Sequence, residues 1–260
     1  MGVIHAYLED GVLTLTLENG ATNSIGLAMA RELLGELDRA ATDAAIGAVV
    51  ITGSGTKAFC AGSDIGELRT MHESGAGPGE LLRAENAAFD RLAGLSIPTI
   101  AAVNGVAVGG GVELAVCCDI VVAAQDAAFS LPEIRLGVFP GIGGTVRIPR
   151  RIGHGRAMEL MLTGREISAE EAHRIGLVDR LVSSDAMQDE IAKLARRFAA
   201  GPRRAQAALK QAMRLSAELS EREALDRVFQ MAVELGDSAE VSEGLRAFLA
   251  KERPDFSKLR

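Results

Sequence analysis

An α/β core followed by an all-helical appendage is the fold class this chain predicts, on two observations. Over the first two thirds, short apolar runs of strand length alternate with segments of helical period. Beyond about residue 195 only the helical period continues. The expected division is therefore 1–195 for the core and 196–260 for the appendage. A chain of 260 residues has room for one large domain and such an extension.

The elements follow in order. "MGVIHAYLEDGVLTLTLENG" reads as a strand pair, with "GVLTLTLE" alternating at period two. "GLAMARELLGELDRAAT" places Leu27, Leu33, Leu34 and Leu37 at helical spacing. "IGAVVITGSG" is a buried strand ended by glycines, "TIAAVNGVAV" is another, and "DIVVAAQDAAFSL" supplies one or two more. "HESGAGPGE", rich in Gly and polar residues, is expected as a mobile surface loop. In "LTGREISAEEAHRIGLVDRLVS", Ser168 and Glu171 have capping-box spacing and Gly176 suits the position after a helix, before the strand "LVDRLV". The remainder is helical, with breaks at Pro202 and around Asp237. Amphipathic helices appended to a core leave apolar faces that need a partner, which predicts an oligomer.

Composition removes several classes of function. The net charge of −7 argues against a nucleic-acid binder. Residues 196–260 nevertheless carry thirteen Lys and Arg against ten Asp and Glu, so an anionic ligand would find basic partners there. No apolar run reaches the roughly eighteen residues of a membrane span, and the start lacks the pattern of a signal peptide, so a cytoplasmic enzyme is expected. Cys60, Cys117 and Cys118 read as small buried hydrophobes. His5, His72, His154 and His173 are scattered, so no metal site is expected.

The chemistry points to "VNGVAVGGGVELAVCCDIVV". Three glycines stand at an apparent strand-to-helix junction, with the carboxylate of Glu113 directly behind them. Glycine permits positive φ and close approach to the backbone, and the first N–H groups of a helix are free to meet an anion. "KAFCAGSDIGEL" repeats the arrangement, an apolar strand end running through Ala61, Gly62 and Ser63 into a helical start at Asp64. Two main-chain donors from separate segments are the usual make-up of an oxyanion hole. Glu133, in "FSLPEIRLGVFPGIGGT", adds a second carboxylate. Two carboxyls held near each other in an apolar site resist joint ionisation, so one can keep a proton while the other accepts one.

These segments, with "LTGREISAEEAHRIGLVDRLV" and the tail "FLAKERPDF", resemble the enoyl-CoA hydratase/isomerase (crotonase) family in order and spacing over essentially the whole chain. The resemblance implies a spiral of ββα repeats with a C-terminal helical trimerisation region, assembled as a homotrimer or dimer of trimers. It implies an acyl-CoA thioester as substrate, with coenzyme A part of that substrate and no separate cofactor. Carried over by motif position, the oxyanion donors are the N–H groups of Ser63 and Gly110, Glu113 activates water, Glu133 exchanges the proton at the α-carbon, and Gly141 helps to place the water. Ser63 is often alanine in relatives, a departure that leaves a main-chain donor intact. Lys57, Ala61, Asp64, Ile65, Lys251, Phe256 and Lys258 are the expected coenzyme A contacts. A lysine common in relatives after "ADI" is here Gly66. The region from Arg69 to Phe89 is expected to shape the acyl pocket. The implied activity is hydration of a trans-2-enoyl-CoA. Alternatives are a Δ3,Δ2-enoyl-CoA isomerase, whose usual lack of a glutamate at position 113 counts against it, and a non-catalytic acyl-CoA-binding homologue.

Overall fold

The computed structural model describes residues 2–259. β1 (Val3–Glu9) and β2 (Val12–Glu18) pair antiparallel across the two-residue turn Asp10–Gly11. Both turn residues take positive φ, 50° and 76°, the geometry whose twist suits a tight hairpin. α1 (Leu27–Thr42) then crosses back, burying Met29, Ala30, Leu33, Leu37 and Ala40 on one face.

From there the chain repeats one unit. β3 (Ala48–Gly53) leads into β4 (Ala58–Cys60), followed by α2 (Ile65–Glu73) and α3 (Gly79–Gly94). β5 (Thr99–Val103) leads into β6 (Val106–Val108) and the short α4 (Gly110–Ala115). β7 (Ile120–Ala124) leads into β8 (Ala128–Ser130), a 3-10 turn at Pro132–Leu136, α5 (Gly144–Ile152) and α6 (His154–Thr163). β9 (Glu166–Ser168), α7 (Ala169–Ile175) and β10 (Arg180–Val182) close the series. In the units led by β3, β5 and β7 the first strand enters a six-stranded sheet of order β1-β2-β3-β5-β7-β10 and the second a four-stranded sheet of order β4-β6-β8-β9; in the closing unit β9 joins the four-stranded sheet and β10 the six-stranded one. The result is a spiral of ββα turns, with β2, β3, β5, β7 and β10 all parallel. Central parallel strands are covered on both faces, which is why β5 is buried at every position.

The single strand expected over "TIAAVNGVAV" is two, and the break has a cause. At Asn104–Gly105 the chain leaves one sheet for the other. The Asn104 amide donates to the carbonyls of Gly53 (2.8 Å) and Gly55 (2.7 Å), while its oxygen accepts from Gly53 N–H (3.1 Å). A side chain on Gly105 would stand 2.6 Å from the Lys57 carbonyl oxygen, so only glycine turns this corner. The capping box expected at Ser168 and Glu171 is half formed. Ser168 Oγ accepts from Glu171 N–H (3.2 Å), but Arg165 takes the Glu171 carboxylate. A reciprocal box occurs instead at Ser220 and Glu223. Gly176 does end α7 in the left-handed region, at φ 88°.

α8 (Met187–Ala199) lies on the six-stranded sheet and buries Met187, Ile191, Leu194, Ala195 and Ala199 in the common core. Residue 195 therefore falls inside a core helix, and the chain leaves the core at Gly201–Pro202. α9 (Arg203–Glu218), α10 (Glu221–Gly236) and α11 (Ala239–Ala250) follow. α9 buries no residue fully. Long cationic side chains tie it down: Lys210 Nζ donates to Ile97 O (2.8 Å), Arg214 to Ala93 O (3.2 Å) and Arg203 to Ile46 O (2.6 Å). Leu209, Met213, Leu225, Phe229, Phe248 and Leu249 on these helices are exposed, the last two at 80%. Among the described residues no helix is long and apolar enough to cross a membrane.

Candidate active site

The three glycines are needed for three different reasons. Gly109 takes φ 53°, ψ −120°, donates its N–H to Ser130 O (2.8 Å) and turns β6 into α4. A Cβ on Gly110 would stand 3.2 Å from the Cα of Gly62 and 3.5 Å from the Ser63 nitrogen. A Cβ on Gly111 would overlap the Cys60 carbonyl oxygen. The start of α4 is thus in backbone contact with the segment that leaves β4. That segment is fixed in turn, since Ile25 N–H donates to Gly62 O (2.8 Å) and Asp64 N–H to Ile25 O (2.9 Å). Among the described residues, the N–H groups of Ser63 and Gly110 donate to no protein acceptor. Two main-chain donors from separate segments stand side by side and free.

Glu113, one turn into α4, is 2% exposed. Its Oε1 accepts from Ile142 N–H (2.8 Å) and Gly144 N–H (2.7 Å) in the turn before α5. A Cβ on Gly144 would lie 2.8 Å from that oxygen, so the residue must be glycine for the contact to form. Arg147 holds the same turn by donating to Ile142 O (3.2 Å). Burial raises the Glu113 carboxyl above its ordinary range, and the two N–H donors and the Arg147 charge offset part of that rise.

Glu133 follows Pro132 in the first turn of the 3-10 segment. Both of its carboxyl oxygens are buried, and among the described residues neither has a hydrogen-bond partner. A Cβ on Gly109 would be 2.8 Å from Glu133 Oε1, which places the carboxyl over the first of the three glycines. Burial, and to a lesser degree the charge of Glu113, push it up to about 7. Two carboxyls therefore share the site with unequal support. Glu113 has two donors from a separate turn that favour its ionised form, whereas among the described residues only the backbone N–H of Glu133 itself acts that way on Glu133.

A third carboxyl, Glu85, was not anticipated. α3 buries Leu81, Glu85, Ala88, Phe89 and Leu92 on one face, so a glutamate occupies a core position. It is 1% exposed, and its Oε2 accepts from Ser63 Oγ (3.0 Å). Its Oε1 has no partner among the described residues. Burial pushes this carboxyl up to about 8, the Ser63 bond opposes the rise, and the charges of Glu113 and Glu67 add to it. The readable signal was the helical spacing of Leu81, Glu85, Ala88 and Leu92. Among the described residues no group of His, Cys, Asp and Glu is arranged to hold a metal ion.

These shifts bear on stability. Glu85 and Glu133 bind protons in the folded chain at pH values where an unfolded glutamate, near 4.5, has lost them. Their contribution is complete below about pH 4.5 and is lost as pH climbs through about 7 to 8. The melting temperature is expected to fall between about pH 5 and about pH 9, and Glu85→Gln is expected to flatten the upper part of that fall. A flat or rising wild-type profile contradicts the burial argument.

Of the other expected site residues, Ala61, Asp64 and Ile65 flank Ser63 and the rest stand on separate segments. Gly141 is exposed, and its neighbours Ile142 and Gly144 are the ones that hold Glu113. Asp64 caps α2, accepting from Gly66 N–H (2.9 Å) and Glu67 N–H (3.1 Å), which commits one of its carboxylate oxygens. Ala61 N–H donates to Thr22 O (2.9 Å), and Ile65 is an exposed first residue of α2. Lys57 is exposed between β3 and β4. Lys251 ends α11 at φ 56°, and Lys258 pairs with Asp255, whose N–H donates to Glu243 (2.8 Å). Phe256, half-buried, begins the last turn, so the tail folds against α11. A groove of about 730 Å³ lies between the six-stranded sheet and α8, lined by Thr14, Thr52, Asn104 and Met187 among others, and contains none of the three carboxyls.

Comparison with known proteins finds relatives over nearly the whole chain. The model of the family described as enoyl-CoA hydratase/isomerase matches residues 8–259. A 2,3-dehydroadipyl-CoA hydratase of Escherichia coli is 39% identical over 95% of this chain and 96% of its own. A 1,2-epoxyphenylacetyl-CoA isomerase of the same organism is 38% identical over 99% of each. The crystal structure of an enoyl-CoA hydratase from Bacillus anthracis superposes with a TM-score of 0.92 at 35% identity, covering 96% of this chain and 97% of that one.

Proposed function

This chain belongs to the enoyl-CoA hydratase/isomerase family, and from that premise we propose that it adds water reversibly across the trans-2 double bond of an enoyl-CoA thioester. The observation that supports this reading best is the pairing of Glu113 and Glu133 beside two undonated main-chain N–H groups. The thioester oxygen sits between Ser63 N–H and Gly110 N–H, which draws electron density from the β-carbon. Glu113, ionised, takes a proton from water as the water oxygen bonds to that carbon. The π electrons move onto the thioester oxygen as an enolate, and Glu133, protonated, delivers its proton to the α-carbon. Exchange of a proton between the two carboxyls through solvent restores the starting state. Gly141, beside the donors to Glu113, is the proposed backbone partner of that water. Loss of one oxyanion donor typically costs about 2.7–4 kcal/mol of transition-state stabilisation.

Isomerisation is the second reading, since a relative of nearly equal identity bears an isomerase name. Moving a double bond needs one carboxyl, whereas here two are held at the glycines, which favours hydration. Incubation with a short trans-2-enoyl-CoA and a trans-3-enoyl-CoA, with products followed by mass, tests the choice. The first is expected to gain one water. An unchanged trans-2 thioester across chain lengths, or migration of the double bond alone, overturns the reading.

The exposed apolar residues of α9–α11 support assembly through the C-terminal region, as a trimer or a dimer of trimers. Lys57, Lys251 and Lys258 are the proposed partners of the coenzyme A phosphates, with Phe256 against the adenine of a neighbouring subunit. Native mass spectrometry is expected to give a multiple of three chains. The double substitution Phe248→Asp, Leu249→Asp should shift it toward single chains; a wild type that is already monomeric contradicts the assignment.

A further inference from the structure

Glu85 is a buried acid that the hydration steps do not use. A carboxyl taken out of water and left half satisfied costs free energy, because the unmet oxygen has lost its water and gained no partner. Here Oε2 is met by Ser63 Oγ and Oε1 by no group among the described residues. The main chain of Ser63 is an oxyanion donor on the reading above, and its side chain is bonded to Glu85 (3.0 Å), so the carboxyl stands one side chain away from the position of the thioester carbonyl.

We propose that Glu85 sets specificity, selecting acyl groups that carry a hydroxyl a few carbons from the thioester over plain hydrocarbon chains. The inference rests on the hydratase reading for the orientation of the thioester. The chemistry follows from the two oxygens. With Oε2 accepting from Ser63, a neutral Glu85 offers its proton from Oε1, and an ionised one offers a lone pair there. A hydroxyl satisfies either state, because it both accepts and donates. A methylene satisfies neither and leaves the atom unmet. The difference between meeting and not meeting Oε1 corresponds to a preference of about tenfold or more.

The test uses the purified protein and its Glu85→Leu and Glu85→Gln variants. The substrates are trans-2-enoyl-CoA thioesters bearing a hydroxyl at C4, C5 or C6, each against the hydrocarbon of equal length. The wild type is expected to favour at least one hydroxylated substrate by about tenfold or more in kcat/KM. Glu85→Leu should bring that ratio to one or below, and Glu85→Gln, which keeps the shape and a polar tip, should retain part of it. Equal kcat/KM for every pair in the wild type overturns the inference, as does a preference that survives in Glu85→Leu. An equal loss on both substrates in both variants assigns Glu85 to positioning Ser63 and also overturns it. Calorimetric binding of the saturated hydroxyacyl-CoA and acyl-CoA pairs reads the same preference without turnover. A binding preference with no hydration of any thioester upholds the inference and removes the hydratase reading; hydration with no preference does the reverse.

Discussion

Replacing Glu113 by glutamine is expected to lower kcat for hydration by roughly 10²- to 10⁴-fold, with KM left near its wild-type value. The substitution is close to a single-function deletion. A glutamine Oε1 can still accept from Ile142 N–H and Gly144 N–H, so the turn before α5 keeps both of its bonds to α4. What is lost is the ability to take a proton from water. Because a buried ionisable group has been removed, the variant should melt no lower than the wild type at neutral pH. Initial rates on a short trans-2-enoyl-CoA, with thermal melting as a control on folding, measure both quantities. A variant that folds normally and hydrates at near wild-type rate excludes Glu113 as the base. The same protein also separates the two readings, since isomerisation of a trans-3-enoyl-CoA needs no base for water and should survive better than hydration.

Much of this site was readable from residue order because its parts are local. Gly109, Gly110, Gly111 and Glu113 lie within one turn of chain, and their roles follow from backbone geometry at a strand-to-helix junction. Ala61, Gly62 and Ser63 repeat the arrangement one unit earlier in the spiral. Local pattern does not say which segments meet. Glu85 was missed because a glutamate in a helix reads as a solvated charge, and its partner Ser63 is twenty-two residues away. Gly141 was carried over by motif position, and only folding shows that the N–H groups of Ile142 and Gly144, farther along the same turn, are the ones that meet Glu113. The division at residue 195 followed a change in periodicity, yet α8 is amphipathic toward the sheet and belongs with it. A helix that packs on the core and one that leaves it have the same period.

Glu133→Gln is expected to suppress turnover as deeply, by roughly 10²- to 10⁴-fold in kcat, but with a different signature. Both oxygens of Glu133 are buried and unmet, so the residue is placed to carry a proton and not to hold structure. An amide there cannot deliver that proton to the α-carbon. Exchange of the α-hydrogen with deuterated water should therefore disappear together with hydration, and isomerisation should fail as well, unlike in Glu113→Gln. The pH profile separates the two acids. Hydration requires Glu113 ionised and Glu133 protonated, and Glu133 stands at about 7. Wild-type kcat/KM should accordingly rise with pH as Glu113 ionises and fall above about 7 as Glu133 loses its proton. Glu85, at about 8, adds charge to the same site on the alkaline side, so the fall should steepen there. In Glu133→Gln the residual activity should lose the first part of that decline and keep the second. If the decline near pH 7 persists unchanged, the proton delivered to the α-carbon comes from a group other than Glu133.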